Sequence, residues 1–178
     1  LGAAGLLALV AVGIAVFRSG EAVEAPAVAN SAAAAESAAG TIDEVVASLQ
    51  EQLRRDPDNH GNWFLLGLAF RGSERFAEAE QAFRRAMELA PDNADYPAHL
   101  GEALLVQGGN SPPAESERLF RRALELQPGN PQARYYLATL DDMRGEHQAA
   151  VDALLALLED APPGAVWEVQ VREAVTAI

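Results

Sequence analysis

The sequence predicts an all-α solenoid of paired helices preceded by an apolar N-terminal helix, and three observations carry that expectation. Prolines 57, 91, 128 and 162 recur at intervals of 34, 37 and 34 residues, a self-similarity that marks stacked helical repeats. Apolar residues make up 49% of the chain but aromatic ones only 6%. Alanine therefore carries much of the apolar total, which suits closely packed helices more than a sheet rich in β-branched residues. Residues 1–17 (LGAAGLLALVAVGIAVF) hold no charged or strongly polar side chain.

That first run sits at the lower length limit for a helix crossing a hydrocarbon core of about 30 Å. It is longer than the apolar stretch of about 7–15 residues usual in a signal peptide. An uncleaved transmembrane anchor over 1–18 is therefore expected, ended by Arg18. A secretory signal cut near Ala27-Val28-Ala29 is the alternative. Residues 19–40 (SGEAVEAPAVANSAAAAESAAG) contain no large apolar residue except valine. Such a segment cannot bury enough surface to offset its ordering entropy. It reads as a flexible Ala/Glu/Ser linker with a reach of roughly 25 Å.

The repeat domain spans 41–178. Residues 41–56 form a cap helix whose Thr41-x-x-Glu44 start has the form of a capping box. Three units follow, at about 60–93, 94–130 and 131–163, and a final helix over 165–178 covers the exposed end of the stack. The turns Pro57-Asp58-Asn59, Pro91-Asp92-Asn93 and Pro128-Gly129-Asn130 close one helix with proline and open the next with asparagine. In the first unit Trp63-x-x-Leu66-Gly67-x-x-Phe70 leads to Ala79-x-x-x-Phe83-x-x-Ala86 and Pro91. These residues and the 34-residue period resemble the tetratricopeptide repeat, with Phe70 in place of tyrosine. Small residues at 67, 79 and 86 let backbones approach, while the large ones fill the gaps. The second unit is aligned through Leu100-Gly101, Leu104, Phe120, Ala123 and Pro128, with Pro97 in the first turn of a helix, where proline is tolerated. Its three extra residues fall in the turn from Gln107 to Pro113. The third unit carries Leu137-Ala138, Gly145, Ala150, Leu154 and Leu157.

Catalytic chemistry is not expected. No cysteine is present, which removes thiolate metal sites, a redox pair and a cysteine nucleophile. His60, His99 and His147 lie in different units without metal-ligand spacing, and no phosphate-binding loop or nucleophile elbow occurs. His99 is read as a surface or groove histidine. The net charge of −13, with 26 acidic residues against 13 arginines and no lysine, argues against nucleic acid. The pairs Arg84-Arg85 and Arg121-Arg122 have Glu88 and Glu125 three and four residues on, so local ion pairs on an outer face are expected. No cofactor is expected.

In a tetratricopeptide stack the first helix of each unit lines the concave surface. Counting from Trp63, the lining is Phe64, Leu68 and Arg71, then Ala98, Glu102 and Leu105, then Tyr135, Thr139, Asp142 and Met143. Some such domains grip a partner's C-terminal carboxylate with lysine and asparagine, and these positions hold neither. A mainly apolar strip suited to an amphipathic helix remains. Packing between repeats is the competing reading of the same apolar residues.

The assembly of parts resembles the tetratricopeptide subunit of bacterial cytochrome c maturation that accompanies the haem lyase, including the form that serves nitrite-reductase haem attachment. The fragments Asp56-Pro-Asp-Asn59, Asn62-Trp-Phe-Leu-Leu-Gly67, the run from Phe83 to Asn93 and that from Leu126 to Ala133 carry the resemblance, with the Pro162-Pro163-Gly164 entry to the last helix. The resemblance implies a non-enzymatic chaperone, anchored in the inner membrane by residues 1–17 with its repeat domain in the periplasm. It would hold the C-terminal helix of apocytochrome c and present it to the haem-lyase subunits. A scaffold docking subunits of a pilus or secretion machine is the alternative.

Overall fold

The computed structural model describes residues 31–178. Among these it contains eight helices and no strand: α1 (Ser31–Arg55), α2 (His60–Gly72), α3 (Phe76–Leu89), α4 (Asp95–Gly108), α5 (Ala114–Leu126), α6 (Pro131–Met143), α7 (His147–Glu159) and α8 (Glu168–Ala177). They fall in two compact units, one within Glu24–Pro128 and one within Gly129–Ile178. The expected anchor, and the linker as far as residue 30, lie outside the described residues. No helix among the described residues is long and apolar enough to cross a membrane.

In the first unit successive helices pack in order, α1 on α2, α2 on α3, α3 on α4 and α4 on α5. The repeat residues make the contacts that their sizes imply. A Cβ at Gly67 would lie 2.5 Å from the Phe83 ring, and one at Gly101 would lie 2.7 Å from Phe120. Only a missing side chain lets these two rings, each fully buried, sit against the partner helix. Val46, Leu49 and Leu53 of α1 join Leu66, Phe70, Ala82 and Phe83 in one continuous core with Leu100, Leu104 and Leu119. Asn59 caps α2 by accepting from the Asn62 amide at 3.0 Å. Asn93 instead accepts from the Asp95 amide two residues on.

Two expectations at the helix ends are corrected. The first helix among the described residues, Ser31–Arg55, already includes the ten residues before the expected start at 41, and Thr41 lies in its interior, so Thr41-x-x-Glu44 is no capping box. The run SAAAAESAA offers little apolar surface, but alanine is the strongest helix former, and continuing an existing helix avoids the cost of nucleation. The last helix begins at Glu168 rather than 165, because residues 162–165 close a turn through the Ala165 amide on the Pro162 carbonyl.

The second unit packs α6 on α7 and α7 on α8. Ala138, Ala150, Leu154 and Leu157 are buried as the repeat pattern requires, and Trp167 and Val171 complete this core. Asn130 caps α6 through the Ala133 amide at 2.9 Å. Gly145, at φ +83°, turns the chain from α6 into α7, where the equivalent turn between α2 and α3 uses Glu74 at φ +59°.

Candidate peptide-binding site

The expected groove residues do not behave alike. On α2, Phe64 and Leu68 are half-buried and Arg71 is buried; on α4, Ala98, Glu102 and Leu105 are all buried. Ala98 therefore offers no surface at all, and packing between repeats, the competing reading, accounts for much of this strip. The physical reason is that side chains of α2 and α4 meet between consecutive repeats. Phe64 lies between three rings, 5.0 Å from Tyr96, 5.1 Å from His99 and 5.7 Å from Phe83. His99 stacks on Phe83 at 5.7 Å with planes 25° apart, and His60 reaches Tyr96 Oη at 2.6 Å. His99 is thus a core residue between two repeats, not the surface or groove histidine expected.

At the other end of α2 the polar residues of the strip join one another. Arg71 Nη1 donates to Glu102 Oε2 and, at 2.9 Å, to His99 Nδ1. Both members of this ion pair are buried, and it connects the first helices of consecutive repeats. Accepting from Arg71 requires a neutral His99 ring. Burial is the main cause that pushes the His99 pKa below 6.5; the Arg71 charge acts in the same direction, while Glu102 and Asp95 oppose it. Arg71 Nε has no hydrogen-bond partner among the described residues. Taking a carboxylate and a guanidinium out of water costs several kcal/mol, and only their mutual bonding offsets it. The pair gives this junction geometric definition more than it gives affinity for a ligand.

In the Gly129–Ile178 unit, Tyr135 is buried with its ring edge-on to Tyr136 at 5.1 Å. Thr139 donates its hydroxyl to the Tyr135 carbonyl at 3.0 Å, and Asp142 Oδ1 meets His147 Nδ1 at 2.5 Å. Thr139, Asp142 and Met143 keep partial exposure. Among the described residues no cluster of His, Asp and Glu could hold a metal ion.

The arginine pairs do more than the local pairing expected. Arg85 and Arg122 do bond Glu88 and Glu125, but Arg84 bonds Glu80 and reaches across to Glu115 on α5 at 2.7 Å. The Arg84 bond holds the Glu115 carboxyl below its usual 4.5, and Glu115 in turn raises the Arg84 pKa. Arg84 therefore ties the second helices of consecutive repeats as Arg71 ties the first. Only the distance of about one repeat between partners, 31 residues in each case, hinted at this in the sequence.

Residues 23–165 match the family model described as the Cytochrome c-type biogenesis protein H TPR domain. The chain belongs to that family. Its matched domain is a tetratricopeptide domain and not an enzyme. Among curated relatives, the cytochrome c-type biogenesis protein CycH of Bradyrhizobium diazoefficiens is 25% identical over 79% of this chain, and that of Rhizobium meliloti is 28% identical over 71%. The chain covers 38% and 33% of those two proteins' own lengths. Among solved structures, MamA superposes with a TM-score of 0.61 at 17% identity, over 84% of this chain and 93% of that one. A thermophilic tetratricopeptide protein of Thermus thermophilus gives 0.62 at 21% identity, over 77% of this chain and 74% of that one. These two likenesses concern the fold. The family places the chain in cytochrome c biogenesis.

Proposed function

We propose that the chain is a membrane-anchored adaptor that binds the C-terminal helix of apocytochrome c and presents it to the haem-ligation complex in the periplasm. The family match over residues 23–165 carries this reading. Partial exposure of Phe64 and Leu68 on α2 supports an apolar contact with a client helix. The apolar run 1–17 supports an anchor, with 19–30 and the start of α1 as spacer. The absence of cysteine suits a holder of unfolded, thiol-bearing chains, because it has no partner for a mixed disulfide.

Calorimetric titration of the chain with peptides from apocytochrome C-terminal helices, against charge-matched scrambled helices, tests the reading. Saturable binding of the native peptides alone is expected, weakened about tenfold or more by Leu68→Glu with the helical content unchanged. Equal or absent binding of both peptide sets would sink it. Tyr135 is unsuited to the same test, since a buried aromatic cannot be replaced by a charge without damage to the fold.

A further inference from the structure

Consecutive second helices leave a groove between them, and the chain carries this groove twice. One, of about 460 Å³, lies between α1 and α3 and is lined by Trp63, Leu66 and Phe70 of α2. The other, of about 450 Å³, lies between α3 and α5. One repeat on, Leu53 becomes Met87, Trp63 becomes Pro97, Gln81 becomes Arg118 and Ala82 becomes Leu119. Their sizes are alike and their chemistry is not. In the first groove the chain supplies its own aromatic wall, and the Trp63 indole donates to the Pro57 carbonyl at 2.8 Å. Both arginines there are paired, Arg54 with Glu51 and Arg75 with Glu78. In the second groove Pro97 stands at the place of the indole, its ring fully buried. Among the described residues no side chain donates to the Pro91 carbonyl, the equivalent of that of Pro57. Arg118 is exposed and acts on the Glu115 carboxyl only as a nearby charge. It makes no hydrogen bond or ion pair among the described residues. The carboxylates of this groove are already held by arginines outside it, Glu88 by Arg85 and Glu115 by Arg84. Arg122 is held by Glu125. A chain of net charge −13 thus presents here an apolar floor beside an unpaired cation.

We propose that the α3–α5 groove is a docking site for a tryptophan of a partner polypeptide with an acidic residue next to it. The partner's indole takes the place that Trp63 holds one repeat earlier. It lies over Pro97, between Met87 and Leu119, with its N–H turned to the Pro91 carbonyl. A buried indole N–H needs such an acceptor, which favours tryptophan over phenylalanine. The neighbouring carboxylate meets Arg118, whose planar guanidinium suits it. The neutral Gln81 at this position of the first groove shows that the repeat itself does not require the cation. A second copy of the chain has no such side chain to offer. Among the described residues the exposed large apolar side chains are valines, leucines and an isoleucine, and none is aromatic. The occupant is therefore another protein. No residue of this groove belongs to the pair Phe64 and Leu68 on which the client contact rests, so either reading can fail without the other.

The test uses the full chain and a short fluorescein-labelled Gly/Ser peptide with a central Trp-Glu pair, titrated by fluorescence anisotropy. Saturable binding is expected, weakened about tenfold or more when alanine replaces the peptide's tryptophan. Arg118→Glu is expected to weaken it about fivefold. A Trp-Lys peptide should bind R118E more tightly than it binds the parent, a reversal that damage to the fold cannot produce. Pro97→Trp places the chain's own indole in the groove and is expected to abolish binding with helical content unchanged. Leu68→Glu, which tests the client contact, leaves this affinity as it was. Absent binding, equal binding of the alanine peptide, no reversal in R118E, or unchanged affinity in P97W would overturn the proposal. So would dimers of the parent chain that P97W dissociates, which would assign the groove to a second copy.

Discussion

Helices α2 and α4 occupy the same place in consecutive repeats, yet α4 is buried without a break from Tyr96 to Leu105 while α2 buries only Leu66, Gly67, Phe70 and Arg71. Their contacts with their own second helices are the same: Gly67 against Phe83 in one, Gly101 against Phe120 in the other. The difference lies on the face turned to the preceding unit. α4 meets Phe64 and Arg71 there, and α2 meets no equivalent helix among the described residues. Packing within a repeat is thus a property of the repeat, and burial between repeats is a property of the neighbour.

Breaking the neighbour contact should give the largest effect. Glu102→Ala leaves the Arg71 guanidinium buried without its carboxylate and is expected to cost about 3–5 kcal/mol, read by urea unfolding. The paired replacement R71M/E102L should recover most or all of it. If R71M/E102L is as unstable as E102A, the ion pair is not what defines the α2–α4 junction. Next comes the contact that the two repeats share. Gly67→Ala and Gly101→Ala each press a methyl into a buried ring and should cost about 1–3 kcal/mol, by similar amounts. A large inequality would show that the two helix pairs do not pack alike.

The smallest expected effect is on pH dependence, and it separates α4 from α2. Burial holds the His99 pKa below its usual 6.5. The unfolded chain then binds more protons than the folded one as pH drops below about 6.5, so stability falls from there until the folded-state pKa is passed. Melting temperatures measured between pH 7 and 5 should decline in the parent and decline less in His99→Gln, while Leu65→Gln on α2 keeps the parent's slope. Glu115, whose carboxyl Arg84 holds below 4.5, acts at lower pH and leaves this window clear.

The helical class, the repeat period, the two glycine–phenylalanine contacts and the asparagine caps at 59 and 130 were legible in the sequence, because each depends on residues within one repeat. The start of α1 was not, since a lack of large apolar side chains was weighed above the strong helix preference of an alanine run. The residues expected to line a groove divide by burial, which the sequence did not show. Phe64, Leu68, Thr139, Asp142 and Met143 keep some exposure, but Ala98, Glu102, Leu105, Tyr135 and Arg71 are buried. Helical position shows which side a residue is on, and it carries no information about how closely the next helix comes.

By itself the sequence determined an all-α tetratricopeptide stack with no thiol chemistry, since composition and spacing follow from side-chain size and helical period. Tertiary structure alone decided that Arg71, His99 and Glu102 form one buried polar junction, that Arg84 spans two repeats to Glu115, and that Val45 and Leu65 are exposed. Each of those facts depends on a distance between helices about one repeat apart, which no local pattern encodes.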